Sequence, residues 1–190
     1  MQRLFVSFLF IVAFSFSDAQ TVSFNEMKEL QLKEVVLTPN LTTDQVFVAI
    51  QSLLSDWHPN TNSKSSIDYS DLKTGTIITK GHFWLGFYKS NMICGYHVLA
   101  DYSCTIRIKK GRSLILIKVP SVTLHWSADN TPDEKVPVEH VYPTYDGYKT
   151  VLNYTKKPLK EFGSKVPNAL KNIYTAIVTK ITGLPSDDDF

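Results

Sequence analysis

The segment Tyr96–Trp126 constrains the fold more than any other part of the chain. Between Tyr96 and Lys109 the residues alternate. Val98, Ala100, Tyr102, Cys104, Ile106 and Ile108 fall on one side, and His97, Leu99, Asp101, Ser103, Thr105 and Arg107 on the other. A period of two is that of a β-strand with one face buried. Lys110-Gly111 then supplies a two-residue hairpin loop, and Ser113–Trp126 is the returning strand. With Lys109 opposite Arg112, Ile108 faces Ser113, Ile106 faces Ile115, Cys104 faces Ile117 and Tyr102 faces Val119. Past Pro120 the apolar parity switches to Val122, Leu124 and Trp126. One extra residue at Pro120, a β-bulge, restores the pattern. It pairs Ala100 with Val122, Val98 with Leu124, Tyr96 with Trp126 and His97 with His125. The expectation is a long, bent antiparallel hairpin with one continuous apolar face.

The other elements follow from shorter signals. Residues 20–29 read as a frayed lead-in. Leu30–Thr38 reads as a strand closed by Pro39. Thr42 to Gln45 fits a capping box, and Val46, Ile50, Leu53, Leu54 and Trp57 recur at helical spacing, so Thr42–Trp57 is a helix ending before Pro59. A polar connection over 58–66 leads to a short strand ending at Asp71, a turn Leu72–Gly75, and a long aromatic strand Thr76–Tyr88. In that strand Ile77, Phe83, Leu85 and Phe87 are expected on the helix side, and Ile78, His82, Trp84 and Tyr88 on the other. Residues 127–163 are rich in Pro, Tyr and charge with weak periodicity, and read as a long loop insertion that either leaves the second sheet face open or folds back to cover it, with Tyr142, Tyr145, Tyr148 and Tyr154 as anchors in the second case. A second helix opens at Pro167 and stops at Gly183, and 186–190 is an acidic tail. The order β-α-β-β-β-β-α gives a two-layer α+β sandwich, an antiparallel sheet with two helices on one face.

Composition and the N-terminus bound where such a domain works. Met1-Gln2-Arg3 is a short positive stretch, Leu4–Phe14 an apolar one, and Ser17 and Ala19 fit a cleavage site before Gln20. Leu4–Phe14 is far short of the roughly 20 residues that span a bilayer. The reading is a signal peptide over 1–19 and one domain over 20–190, exported to the periplasm or beyond, with no membrane span. The 190 residues carry 20 Lys+Arg against 18 Asp+Glu, a net charge of +2, which gives no electrostatic support for a nucleic-acid partner. Cys94 and Cys104 are the two cysteines. Ten extended residues between them would span roughly 33 Å, against the roughly 4.4–6.8 Å that a disulfide needs between Cα atoms. Free or buried thiols are therefore expected.

The helix Thr42–Trp57, the stretch Ile67–Gly81, and the hairpin turn with Lys109-Lys110-Gly111-Arg112 together resemble a family of exported bacterial domains of unknown function. That family is described as having a fold like that of the TATA-box-binding protein. The matching signatures are Asp71 and Gly75 in a turn, Lys80-Gly81 in a strand, and Lys110-Gly111-Arg112 in a hairpin. The resemblance covers roughly residues 30–126. It implies the TBP-like fold, but brings no activity and no catalytic residues.

No catalytic or phosphate-binding motif is present, and no cofactor is expected. Glu139-His140 reads as a solvated loop pair. The sheet face away from the helices is the informative surface. By parity it holds Ile78, Trp84, Tyr88, Leu99, Leu114 and Leu116, more apolar area than a solvated face carries, which marks a site for a ligand or partner. The primary expectation is a non-enzymatic binding domain contacting an envelope protein or small ligand through Trp84, Tyr88, Leu99, His97 and His125. A second reading groups His82, His97 and His125 as imidazole ligands of a transition metal. A third packs two such faces together as a structural homodimer.

Overall fold

The computed structural model describes residues 21–56, 64–89, 94–127, 133–144, 146–147 and 156–185. Its centre is the expected hairpin. Strands β5 (Gly95–Lys109) and β6 (Gly111–Trp126) pair antiparallel from Lys109↔Arg112 to Tyr96↔Trp126, with His97 opposite His125. The register jumps between Asp101↔Ser121 and Ser103↔Lys118, so Val119 and Pro120 together face Tyr102. That is the bulge at Pro120.

Around this hairpin, β2 (Leu30–Thr38) pairs with the first half of β6, and β4 (Thr76–Lys89) pairs with β5 and with β3 (Lys64–Asp71). With β1 (Val22–Phe24) at one edge, the described sheet has seven strands in the order β1-β2-β6-β5-β4-β3, with β7 (Glu134–Pro137) also on β6. Both long helices lie on one face. In α1 (Thr43–Ser55) the Gln45 amide donates to Thr42 Oγ1 at 3.2 Å, and the Thr42 amide donates to Gln45 Oε1 at 2.8 Å. That reciprocal capping satisfies two amides that the first helical turn leaves without partners. In α3 (Val166–Thr182) the stripe Leu170, Ile173, Ile177 and Ile181 is fully buried. These helices and the inward strand residues form one apolar core, including Leu32, Ile50, Ile77, Ile106, Ile115 and Ile117. Burying each such side chain contributes about 1.5–3 kcal/mol as an upper bound.

Four expectations change. The lead-in contains a strand, β1 (Val22–Phe24), folded back on β2 through a turn in which the Asn25 amide nitrogen donates to Glu29 Oε2 at 2.7 Å. The 127–163 segment is not simply a loop. It supplies β7, a single turn at Val138–His140, and the short helix α2 (Lys156–Phe162). Val136, Val138, Val141, Leu159 and Phe162 all join the core. Its described residues thus extend the sheet and the helix layer, and Tyr142 packs against the core; Tyr145, Tyr148 and Tyr154 lie outside the described residues. The third change is in β4, where the register jumps between Trp84↔Leu99 and Gly86↔Val98. Leu85 is the extra residue, and the parity beyond it inverts. Tyr88 therefore pairs with Tyr96 and packs against the core, while Phe87 pairs with His97 on the other face and is 41% exposed. Fourth, α1 ends at Ser55 with Asp56 as its C-cap. Trp57, the proposed signal segment 1–19 and the tail 186–190 lie outside the described residues.

The turn signatures have structural explanations. The Asp71 carboxylate accepts from the Lys73 amide (3.0 Å) and from the Thr74 hydroxyl (2.9 Å), which holds its pKa below the ordinary carboxylate value. Gly75 has φ +62°, and its carbonyl accepts from the Ile108 amide at 2.7 Å, so this turn locks onto the end of β5. A β-carbon on Gly75 would stand 2.3 Å from the Ile108 carbonyl oxygen. Lys80 pairs with Asp68 at 2.7 Å, and a β-carbon on Gly81 would stand 2.0 Å from the Lys64 carbonyl oxygen. These residues specify backbone geometry.

Candidate functional site

Among the described residues no helix packs on the face of the sheet opposite the core. Reading across the strands, that face divides into three bands. One end is aromatic and imidazole-bearing, built from Phe87, His97 and His125 with Trp84 opposite Leu99 one row away. The Phe87 and His97 rings lie 4.9 Å apart, and the His97 and His125 rings 6.1 Å apart. The middle is polar. Asp101 accepts from the Ser121 and Thr123 hydroxyls at 2.9 and 2.8 Å and pairs with Lys135 at 3.3 Å, and Lys118 pairs with Glu29 at 3.2 Å. The far end is apolar with basic edges, with Val35 opposite Leu114 and Leu114 opposite Arg107.

The strands bring His97 and His125 together because they are direct cross-strand partners in a hairpin whose register the bulge at Pro120 sets. His82 is elsewhere. It stands opposite Asp101, four residues along β5 from His97, about 13 Å at strand rise. The expected cluster of three imidazoles does not form, and among the described residues no group of three His, Cys, Asp or Glu side chains is placed to hold a metal. Burial of the His97 ring, reinforced by the neighbouring His125, lowers its pKa below the ordinary imidazole value. His125 has a partner that periodicity did not reveal. Its Nδ1 lies 2.6 Å from Asp133 Oδ1, in the segment leading into β7. A carboxylate on one ring nitrogen fixes the tautomer and aims the other nitrogen outward. Of the expected contacts, Trp84, Leu99, His97 and His125 share this face, and Tyr88 is replaced by Phe87. The signal for Phe87 was Gly86, an isolated glycine in a strand, which commonly marks a bulge.

Elsewhere, His140 Nδ1 lies 2.7 Å from Asp146 Oδ2, and Glu139 pairs with Lys28 at 3.0 Å. Glu139 therefore ties the turn after β7 to the β1 hairpin, and His140 braces that turn itself through Asp146. The two cysteines form no disulfide among the described residues, and burial raises the Cys104 thiol pKa to about 12, so it is chemically inert at neutral pH.

A seven-stranded antiparallel sheet whose described helices all lie on one face defines an α+β sandwich of the TBP-like class. Residues 33–116 match the family described as "Domain of unknown function (DUF4468) with TBP-like fold". Two crystal structures are similar to it. A DUF4468 family protein from Bacteroides ovatus shares 18% identity and a TM-score of 0.54, covering 87% of this chain and 92% of that one. A TBP-like protein from Parabacteroides distasonis shares 12% identity and a TM-score of 0.59, covering 86% of this chain and 99% of that one. At these identities the likeness speaks for the fold alone. No curated protein matches the chain.

Proposed function

We propose that this chain is an exported, non-enzymatic binding domain whose working surface is the aromatic and imidazole end of the open sheet face. The observation that carries the reading is Phe87. Its ring is 41% exposed and stands against His97 beside the Trp84–Leu99 pair, on a face that no described helix covers. Exposed aromatic rings rimmed by polar groups are the usual form of a ligand or partner site. Trp84, Phe87 and Leu99 would supply apolar contact, and His97 and His125 the polar recognition. The test is titration of the mature chain with anilinonaphthalene sulfonate, an aromatic anion that fluoresces on apolar surfaces. Saturable one-to-one binding is expected, weakened at least tenfold by Phe87→Ser with the melting temperature unchanged. Unaltered binding by Phe87→Ser would overturn the reading. A dimer in light scattering that dissociates in Phe87→Asp would replace it with a subunit interface.

The Asp133–His125 contact favours a second reading, in which the His97–His125 pair holds a divalent transition metal through outward-facing ring nitrogens, with solvent completing the coordination. Zinc or nickel should then raise the melting temperature of the chain, since a ligand that binds only the folded state stabilises it. The shift should vanish in His97→Ala and in His125→Ala and persist in His82→Ala. A shift retained by either of the first two variants rules the pair out.

A further inference from the structure

The rim of the sheet opposite the imidazole end carries a separate surface, independent of the face-binding reading. It is built where three connections converge: the end of β2, the β5–β6 hairpin, and the turn between β3 and β4 that locks onto Ile108. Leu37 is 64% exposed, Val35 54% and Leu72 44%, although all three are large aliphatic side chains. Between and beside them stand the exposed cations Lys73, Arg107, Lys109, Lys110 and Arg112. Val35, Leu114, Arg107, Lys109 and Arg112 line one hollow of about 240 Å³. Among the described residues no ion pair engages any of the five cations. Of the described carboxylates near it, Asp71 is held within its own turn and Asp44 lines a hollow with Lys110. The rim crosses five strands, roughly 19 Å at the usual strand spacing.

A chain of net charge +2 has thus gathered five cations and its most exposed aliphatic residues outside the β1 turn and α1 at one edge. We infer that this rim docks on an anionic lipid bilayer, with Leu37 and Leu72 entering the headgroup boundary and the five cations facing lipid phosphates. The combination fits that surface on two counts. Exposed aliphatic side chains gain from partial insertion, and an anionic leaflet attracts each nearby Lys or Arg additively within a Debye length. Among the described residues no helix is long and apolar enough to cross a membrane.

Co-sedimentation of the mature chain with phosphatidylcholine vesicles, with and without about one-third phosphatidylglycerol, tests the inference. The chain should partition onto the anionic vesicles many-fold better than onto the neutral ones, and 0.5 M salt should release it. Lys109→Gln with Arg112→Gln should lower partitioning by about fivefold for each cation neutralised, and Lys109→Glu with Arg112→Glu by more. Leu37→Ser with Leu72→Ser should weaken binding while keeping its salt dependence. Lys156→Glu with Lys157→Glu, on α2 away from the rim, should leave it unchanged. Equal binding to neutral vesicles, insensitivity to the rim variants, or capture by soluble heparin without capture by vesicles would each overturn it.

Discussion

Deleting Pro120 is expected to abolish the native fold, whereas Pro120→Ala should change stability by no more than about 0.5 kcal/mol. The contrast isolates residue count from residue type. Pro120 is exposed, and it shares with Val119 the position opposite Tyr102. What matters is that β6 has one more residue than β5 at this point. Remove it, and one half of β6 must turn over, because side chains alternate faces. If the distal half flips, Val122 and Leu124, both buried, move to the open face, and Thr123 and His125 enter the core. Losing each aliphatic residue costs about 1.5–3 kcal/mol, and burying each unpaired polar group costs about 1–3 kcal/mol. The pairing of β7 with Ser121–Leu124 is disturbed as well, and with it the buried Val136. If the proximal half flips instead, Ile115, Ile117 and Val119 are expelled, which is no cheaper. Either way the loss takes most of the roughly 5–15 kcal/mol available to a domain. Amide NMR dispersion and urea unfolding measure it. A deletion variant with a native-like spectrum would refute the register on which the His97–His125 pairing depends.

This bulge was legible in the sequence for a physical reason that the second bulge lacks. In β5 and β6 one face is apolar and the other carries Asp101, Arg107, Lys118 and His125, so a one-residue slip breaks a visible pattern. In β4 the run Phe83-Trp84-Leu85-Gly86-Phe87-Tyr88 is apolar or glycine at every position. Parity there has no contrast to read, and the exchange of Tyr88 for Phe87 at the site follows directly. The Asp133 contact to His125 was hidden for a different reason, since it joins a strand to a segment without periodicity. The β1 strand and α2 are simply too short, at 3 and 7 residues, to show a period. The turn signatures at Asp71, Gly75, Gly81 and Gly111 disclosed the fold class because they fix backbone geometry. For the same reason they disclosed nothing about a ligand.

Gly86→Ala is expected to cost about 1–3 kcal/mol through overpacking and Phe162→Ala about 3–5 kcal/mol, while the double variant costs less than their sum. Phe162 closes α2 and is 4% exposed, and its ring lies on the bulge at Gly86. A β-carbon on Gly86 would sit 2.2 Å from Phe162 Cε1 and 2.8 Å from Cζ. No rotation of a single buried ring relieves contacts that close, so alanine at 86 must push α2 off the sheet or flatten the bulge. With the ring removed, the same methyl group enters vacated space and recovers part of the cavity loss. Residues in direct contact couple by about 0.5–3 kcal/mol in such cycles. Strictly additive costs in chemical unfolding would mean that ring and glycine do not touch, and that α2 is positioned otherwise. The cycle also reaches the site on the opposite face, since the bulge decides which of Phe87 and Tyr88 points outward. Gly86→Ala should therefore weaken binding of the aromatic probe, although residue 86 itself faces the core. Phe162→Ala in the same chain should restore that binding, because relief of the clash lets the bulge re-form and returns the Phe87 ring to its place beside His97.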